Sequence, residues 1–318
     1  MNTPSLLRQF RSFYIRNYPN SLEEAIEYFN VLGGLGWEID SDQTLDELIV
    51  EHILENYGAL HNQISMMTLD TPLYNHILTA IARGDRRTHS AFKHARISES
   101  VGNEAIEYLC QSGVLILEPS REHAPEKEYP AQKLKKEVEQ HQISDKLHFA
   151  TPFLRFWFAF VVPLQRSIEK GEYTELLQRF DERRLGFSSL VFETLSIEVL
   201  KEACQHDHIV EIGSYWDRQV EIDILAKEAS GKIIVAECKY TNTKINKTEL
   251  SRLKEKCQLA GIVPDRTALF SKRGFSQELL SLQDDKLLLC SLDDFKLLLQ
   301  DIDKDDKIEG FITIDLDV

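Results

Sequence analysis

Residues 220–227 read V-E-I-D-I-L-A-K, residues 228–231 E-A-S-G, and residues 232–240 K-I-I-V-A-E-C-K-Y. Apolar and polar residues alternate over 220–227, as in a strand with one covered face. Ala229-Ser230-Gly231 supplies turn chemistry, and 232–240 is a second strand-like run, so the stretch predicts a β-hairpin. Side chains two apart on a strand share a face, which puts Glu237 with Lys239 and Asp223 with Glu221. Two carboxylates from neighbouring strands with a lysine beside one of them form a hard-oxygen site suited to Mg2+ or Mn2+. A cation there would activate water and screen the charge of a phosphodiester, while Lys239 would orient the water or stabilise developing charge.

The flanks extend this into a domain. Gly186–Cys204 carries Phe187, Val191, Leu195 and Val199 at the spacing of a buried helical stripe. Lys247–Ala260 is helical and stops at Gly261, and Thr267–Phe270 and Lys286–Cys290 are short apolar strands. Helix, hairpin, helix and strand in that order predict an α/β sandwich with a mixed central sheet over 185–318.

Upstream the pattern is helical. Ser21-Leu22-Glu23-Glu24 has the S-x-x-E form of a capping box before Ala25, Ile26, Tyr28 and Phe29, and Gly33-Gly34-Leu35-Gly36 ends that helix. A second amphipathic run covers Ser41–Tyr57. From Pro72 to Pro119 the order is helix, short helix at His89–Ala95, helix opened by Ser98, then a strand at Val114–Leu117, which is the order of a winged helix-turn-helix. Ser120–Gln142 is polar, a wing or linker, and the aromatic run Phe149–Phe160 is spaced as a packing helix. The chain is α+β and α/β, multidomain: a helical segment at 1–68, a winged helix at 69–142, connecting helices at 143–184 and the α/β domain at 185–318.

Composition limits the partners. The 318 residues carry a net charge of −15, with −7 over 1–69 and −7 over 281–318, so the middle of the chain is near neutral. Such a protein does not coat nucleic acid through a general basic surface, but a local groove remains open to it. Arg83, Arg86, Arg87, Lys93 and Arg96, opposed by Asp85, form a candidate DNA-phosphate footprint. The helix after Ser98 carries Glu99, Glu104 and Glu107, which repel phosphate and make it a poor reader of bases. The five cysteines fit neither a disulfide framework nor a zinc site. The N-terminus has no apolar signal-type stretch and no run is long enough to span a membrane, which predicts a cytoplasmic protein. His206 and His208 are expected at the surface, and Tyr215 and Trp216 at one edge of the cleft. Asp301, Asp303, Asp305 and Asp306 lack the glycine and closing glutamate of an EF-hand loop.

Asp223 followed by Glu237-Cys238-Lys239 is D-x(13)-E-x-K, which resembles the PD-(D/E)XK nuclease superfamily, notably its Holliday-junction-resolvase-like and Mrr-like branches. The resemblance implies a restriction-endonuclease-like fold, Asp223 and Glu237 as metal ligands, the Cys238 carbonyl as a third ligand, and Lys239 as the catalytic cation. It also implies an acid from the preceding helix, where Glu193 stands. Ile222 replaces the usual proline. Residues 147–163, G-x(5)-F-E at 186–193, Y-W-x(4)-E-I-D and E-C-K also resemble the nuclease-like C-terminal module, of unknown function, of archaeal-type AAA-superfamily ATPases. E-A-I-E-Y-F-N-V-L-G-G-L-G at 24–36 resembles the terminal motif of their lid. No G-x(4)-G-K-[ST] occurs, so ATP binding is not expected. These readings predict a Mg2+-dependent endodeoxyribonuclease or DNA-processing protein. The rival is an inactive nuclease-fold module that binds DNA or protein. The resemblance implies a homodimer or a separately encoded ATPase as partner.

Overall fold

The computed structural model describes residues 4–121 and 144–300. Most of the expected wing or linker at 120–142 and the acidic tail after 300 lie outside the described residues.

Ser5 opens α1 (Leu6–Asn17), and Ser21 opens α2 (Leu22–Leu32) by accepting from Glu24 N at 3.1 Å. Only this half of the expected capping box forms, because the Glu24 carboxylate takes a hydrogen bond from Asn20 Nδ2 instead. The glycines after α2 have a packing role. Gly34 lies at φ +93°, and a Cβ there would come within 2.5 Å of Thr151, while Phe153 N donates to Gly33 O at 3.1 Å. Gly34→Ala is expected to lower stability by about 2 kcal/mol or more, through both the positive φ and the clash. A urea titration checks this, and an unchanged midpoint would refute it.

The amphipathic run at 41–57 becomes α3 (Leu45–Leu48) and a π-helical turn, Ile49–Leu54, before α4 (Tyr57–Thr68). Then come α5 (Pro72–Arg83), α6 (Thr88–Ala95), α7 (Glu99–Gln111) and an antiparallel pair, β1 (Leu115–Glu118) with β2 (Lys146–Phe149). Next are α8 (Pro152–Phe156), a π turn at Trp157–Val161, α9 (Gln165–Ile168) and the long α10 (Thr174–Ala203). Gly186 is interior to α10 and its Cβ position is open space, so it weakens the helix without ending it. Phe156 and Phe160 each meet Phe180 and Phe187 edge to face, with centroids 5.3 Å apart for Phe160–Phe180 and 5.1 Å for Phe160–Phe187. All four are buried, so the aromatic run is core.

The main sheet has five strands in the order β3 (Ile209–Trp216), β4 (Glu221–Glu228), β5 (Ile233–Lys239), β6 (Arg266–Ser271) and β7 (Leu287–Ser291). Pairing is antiparallel across β3–β4–β5 and parallel across β5–β6–β7, a mixed sheet. One face packs on α10 through Ile224, Ala226, Ile234, Ala236 and Phe270. The other packs on α11 (Lys247–Leu259) through Val235, Leu250, Leu253 and Leu269. A short α12 (Gln277–Leu280) and a 3-10 turn, Leu292–Leu299, complete the described chain, and Phe295 stacks on Phe192 at 4.8 Å. The protein is a mixed α/β molecule.

The helices and one face of the sheet share one apolar cluster, and a second, smaller cluster lies between the other face and α11. One continuous apolar cluster runs from Phe10 in α1 to Leu298 in the last turn, and Arg11 Nε donates to Leu298 O at 2.7 Å. No helix among the described residues is long and apolar enough to cross a membrane.

Candidate functional site

The β4 strand is irregular where the motif begins. Its partners on β3 step from Gly213↔Leu225 to Tyr215↔Ile222, so one extra β4 residue lies between Ile222 and Leu225. Packing shows the consequence: Ile222 joins the α11 cluster, while Ile224, two residues on, joins the α10 cluster. Asp223 sits at this bulge. A bulge re-aims a side chain and interrupts pairing, and β4–β5 pairing does stop at Ile224↔Ala236. Beyond it, Cys238 N donates at 2.7 Å to Asp223 Oδ2. Burial, then Glu237 and Glu193, push the Asp223 carboxyl up to about 8, against the opposing pull of the Cys238 N–H and Lys256.

Glu237 is 5% exposed and held by two lysines. Lys239 Nζ donates to its Oε1 at 2.7 Å, as their shared face requires. Lys256, from α11, donates to Oε1 at 2.9 Å and Oε2 at 2.7 Å. Glu249 lies 3.7 Å from Lys239 and 2.6 Å from Arg252. Burial draws the Lys239 ammonium down, but the Glu237 hydrogen bond and the Glu237, Asp223 and Glu249 charges outweigh it, and the net shift is upward. Burial pushes the Cys238 thiol well up, leaving it a neutral core group. Lys256 was not foreseen, because its partner lies 19 residues back on a strand and no local pattern joins them.

Glu193 projects from α10 into the same electrostatic neighbourhood. Burial first and Glu221 next raise its carboxyl, opposed by Arg86, Arg155 and Lys146. Lys146 is fully buried in its side chain, bonded to Glu221 Oε1 at 2.5 Å and seated 4.4 Å over the Trp216 ring. Trp216 Nε1 donates to Ser144 O at 2.8 Å. Trp216 therefore pins β2 to the main sheet from within β3; expected at the rim of the cleft, it is 2% exposed.

The expected basic footprint divides. Arg86 Nη1 meets His148 Nδ1 on β2 at 3.2 Å, and Arg87 lies 3.6 Å from Glu221 of the main sheet, so both are engaged within the molecule. His148 in turn bonds Glu118 at 2.6 Å. Against the effect of burial, His148, Ser214 and Arg86 hold the Glu118 carboxyl down at about 2. Arg83, Lys93 and Arg96 remain exposed. His206 and His208 are exposed as expected. The five cysteines are free, and all but Cys110 are buried.

Asp223 and Glu237 are donors of the type a hard divalent cation takes, and the raised Asp223 carboxyl marks a crowding of negative charge that a cation would relieve. The arrangement is closed, however. Both Glu237 oxygens face lysines, and among the described residues no group of three or more His, Cys, Asp or Glu side chains is disposed to hold a metal ion.

A family model, DUF234, described as archaea bacterial proteins of unknown function, matches residues 157–252. That span contains Glu193, Asp223, Glu237 and Lys239 and ends within α11 before Lys256. No curated protein and no solved structure matches the chain.

Proposed function

We propose that the protein is a divalent-metal-dependent DNA-processing hydrolase of the PD-(D/E)XK type, with α5–α7 and β1–β2 as a winged-helix module. The observation carrying this reading is that Cys238 N holds Asp223 and Lys239 holds Glu237 side by side on β4 and β5, where burial and the Glu237 and Glu193 charges raise the Asp223 carboxyl. Asp223, Glu237 and the Cys238 carbonyl would hold Mg2+ or Mn2+, which supplies a nucleophilic water and charge screening when bound. The chain's own residues then divide the remaining work. Lys239, released from Glu237, places its ammonium where phosphoryl charge develops. Glu193 keeps the helix side of the site acidic, and the bulge holds Asp223 in place through Cys238 N.

The test is cleavage of branched, single-stranded and duplex DNA with Mg2+ or Mn2+. Wild type should cut at least one of these, and Lys239→Ala should be slower by about 10²–10³. Equal inertness of the two on all three substrates would end the hydrolase reading. It would favour the second reading, a nuclease-fold binding module, for which the two-lysine closure of Glu237 speaks.

A further inference from the structure

A second charged site lies in a groove lined by α5 and α10. Arg83, Arg155 and Arg183 line one groove of about 310 Å3, together with Glu182, Gly186 and Phe187. Three guanidinium groups share it with one carboxylate, and that one already accepts from Gln178 Nε2 at 3.1 Å. Arg179, one turn before Arg183, is paired with Glu175. Among the described residues neither Arg83 nor Arg183 has a carboxylate partner. Burial lowers the Arg83 guanidinium, and Arg183 and Arg179 add to that by like-charge repulsion.

Arg155 is the less usual member. Its Nη1 donates to Phe187 O at 2.8 Å, and its plane lies 3.9 Å over the Phe187 ring. Its Nε is buried without a partner. Burial and then the like charge of Arg86 draw this guanidinium down to about 9, with Glu193 opposing. An enclosed cation satisfied by a carbonyl and a ring lacks the counter-charge that buried ions require.

Arg83 also lines an adjoining groove of about 590 Å3, with His76, His94 and Arg96, where no acidic residue contributes. The cations therefore run in series from Arg183 through Arg83 to Arg96, across two grooves that share one wall. A compact anion would satisfy one groove, whereas a linear polyanion satisfies both. Phe160 and Phe187 are buried and offer no face for base stacking, so the contact is with backbone.

We infer that the Arg183–Arg155–Arg83–Arg96 track is a phosphate-backbone site for duplex nucleic acid, lined by residues other than Asp223 and Glu237. It shares with the proposed function only the premise that the partner is nucleic acid. The contact carries no sequence information, since guanidinium-to-phosphate bonds position a duplex without reading it.

The test is fluorescence anisotropy of a labelled duplex with the full chain in EDTA, so that cleavage plays no part. Binding should weaken as salt rises, and Arg83→Ala, Arg96→Ala and Arg183→Ala should each weaken it several-fold and reduce the log–log salt slope by about 1. These three side chains are exposed, so the variants should fold, which their melting curves verify. Arg83→Lys should retain most of the affinity. Wild-type affinity and slope in all three alanine variants would overturn the inference. So would a chain that ignores the duplex but is stabilised by inorganic pyrophosphate in an Arg83-dependent way, which would mark a small-anion site. Failure to cut DNA with Mg2+, by contrast, would end only the hydrolase reading.

Discussion

Asp223→Asn is expected to remove Mg2+-dependent cleavage while making the folded protein more stable at neutral and alkaline pH. The two effects have one origin. The folded carboxyl sits at about 8, raised by burial, Glu237 and Glu193, whereas the unfolded chain titrates at about 3.9. Below about pH 4 the group is protonated in both states and its ionisation has no effect on folding. As pH rises from there, the unfolded chain loses the proton and the folded chain keeps it, so stability falls. The loss is complete above about pH 8. Asparagine has no charge to bury, and its carbonyl can still accept from Cys238 N. After allowance for partial exposure, the gain at pH 8 should be on the order of 2–3 kcal/mol, a melting shift of roughly 3–5 °C. The stability–pH curve of the variant should be flatter between about pH 4 and pH 8.

Mg2+ adds an independent readout. It should raise the melting temperature of wild type at pH 8, because a ligand of the folded state stabilises by mass action, and it should do much less for Asp223→Asn. Cleavage should fall by about 10³ or more if the carboxylate is a ligand. A variant that melts at or below wild type at pH 8 would contradict the electrostatic account of the bulge. A more stable variant with Mg2+ response and cleavage intact would remove Asp223 from the chemistry.

The hairpin could be read in advance because strand alternation is a local property: Glu237 and Lys239 are two apart, and they touch. Glu193 came from the resemblance alone, because the stripe of Phe187, Val191, Leu195 and Val199 does not include it. The bulge at Asp223 was not legible, because it exists only in the register between β4 and a strand beginning at Ile209. Arg86 and Arg87 show the same limit from the other side. Their local density suggested a phosphate footprint, but Arg87 lies beside Glu221 and Arg86 on His148, groups more than 60 residues downstream. Arg83, in the same cluster, has no such neighbour and keeps the solvent-facing role. Charge density along a chain therefore located the basic region, while tertiary pairing decided which of its members remain available.

Glu27→Ala is expected to destabilise the protein by about 3 kcal/mol and to do so in a single transition. Glu27 lies in α2, yet its carboxylate joins groups far along the chain. Arg184 Nη2 bonds Oε2 at 2.5 Å, Tyr240 OH bonds Oε1 at 3.3 Å, and Lys272 Nζ lies 3.4 Å from Oε1. The Lys272 side chain is only 1% exposed and depends also on Glu23 at 2.8 Å and the Tyr240 ring at 4.5 Å. Removing Glu27 strands part of this positive charge in a dry setting, and breaking one side of a buried pair costs about 3–5 kcal/mol. Glu23 holds the estimate at the lower end. Replacing Glu27 together with its most buried partner, Glu27→Leu with Lys272→Met, should recover part of the loss, because the buried ammonium is then gone while the more exposed Arg184 still lacks its carboxylate. The shape of the transition bears on the architecture. The apolar cluster runs unbroken from α1 to the last turn, so the N-terminal helices and the sheet should melt together, with tryptophan fluorescence and circular dichroism coincident. Two separated transitions in Glu27→Ala would mean that the helical segment and the sheet fold as independent units joined only through this ion cluster.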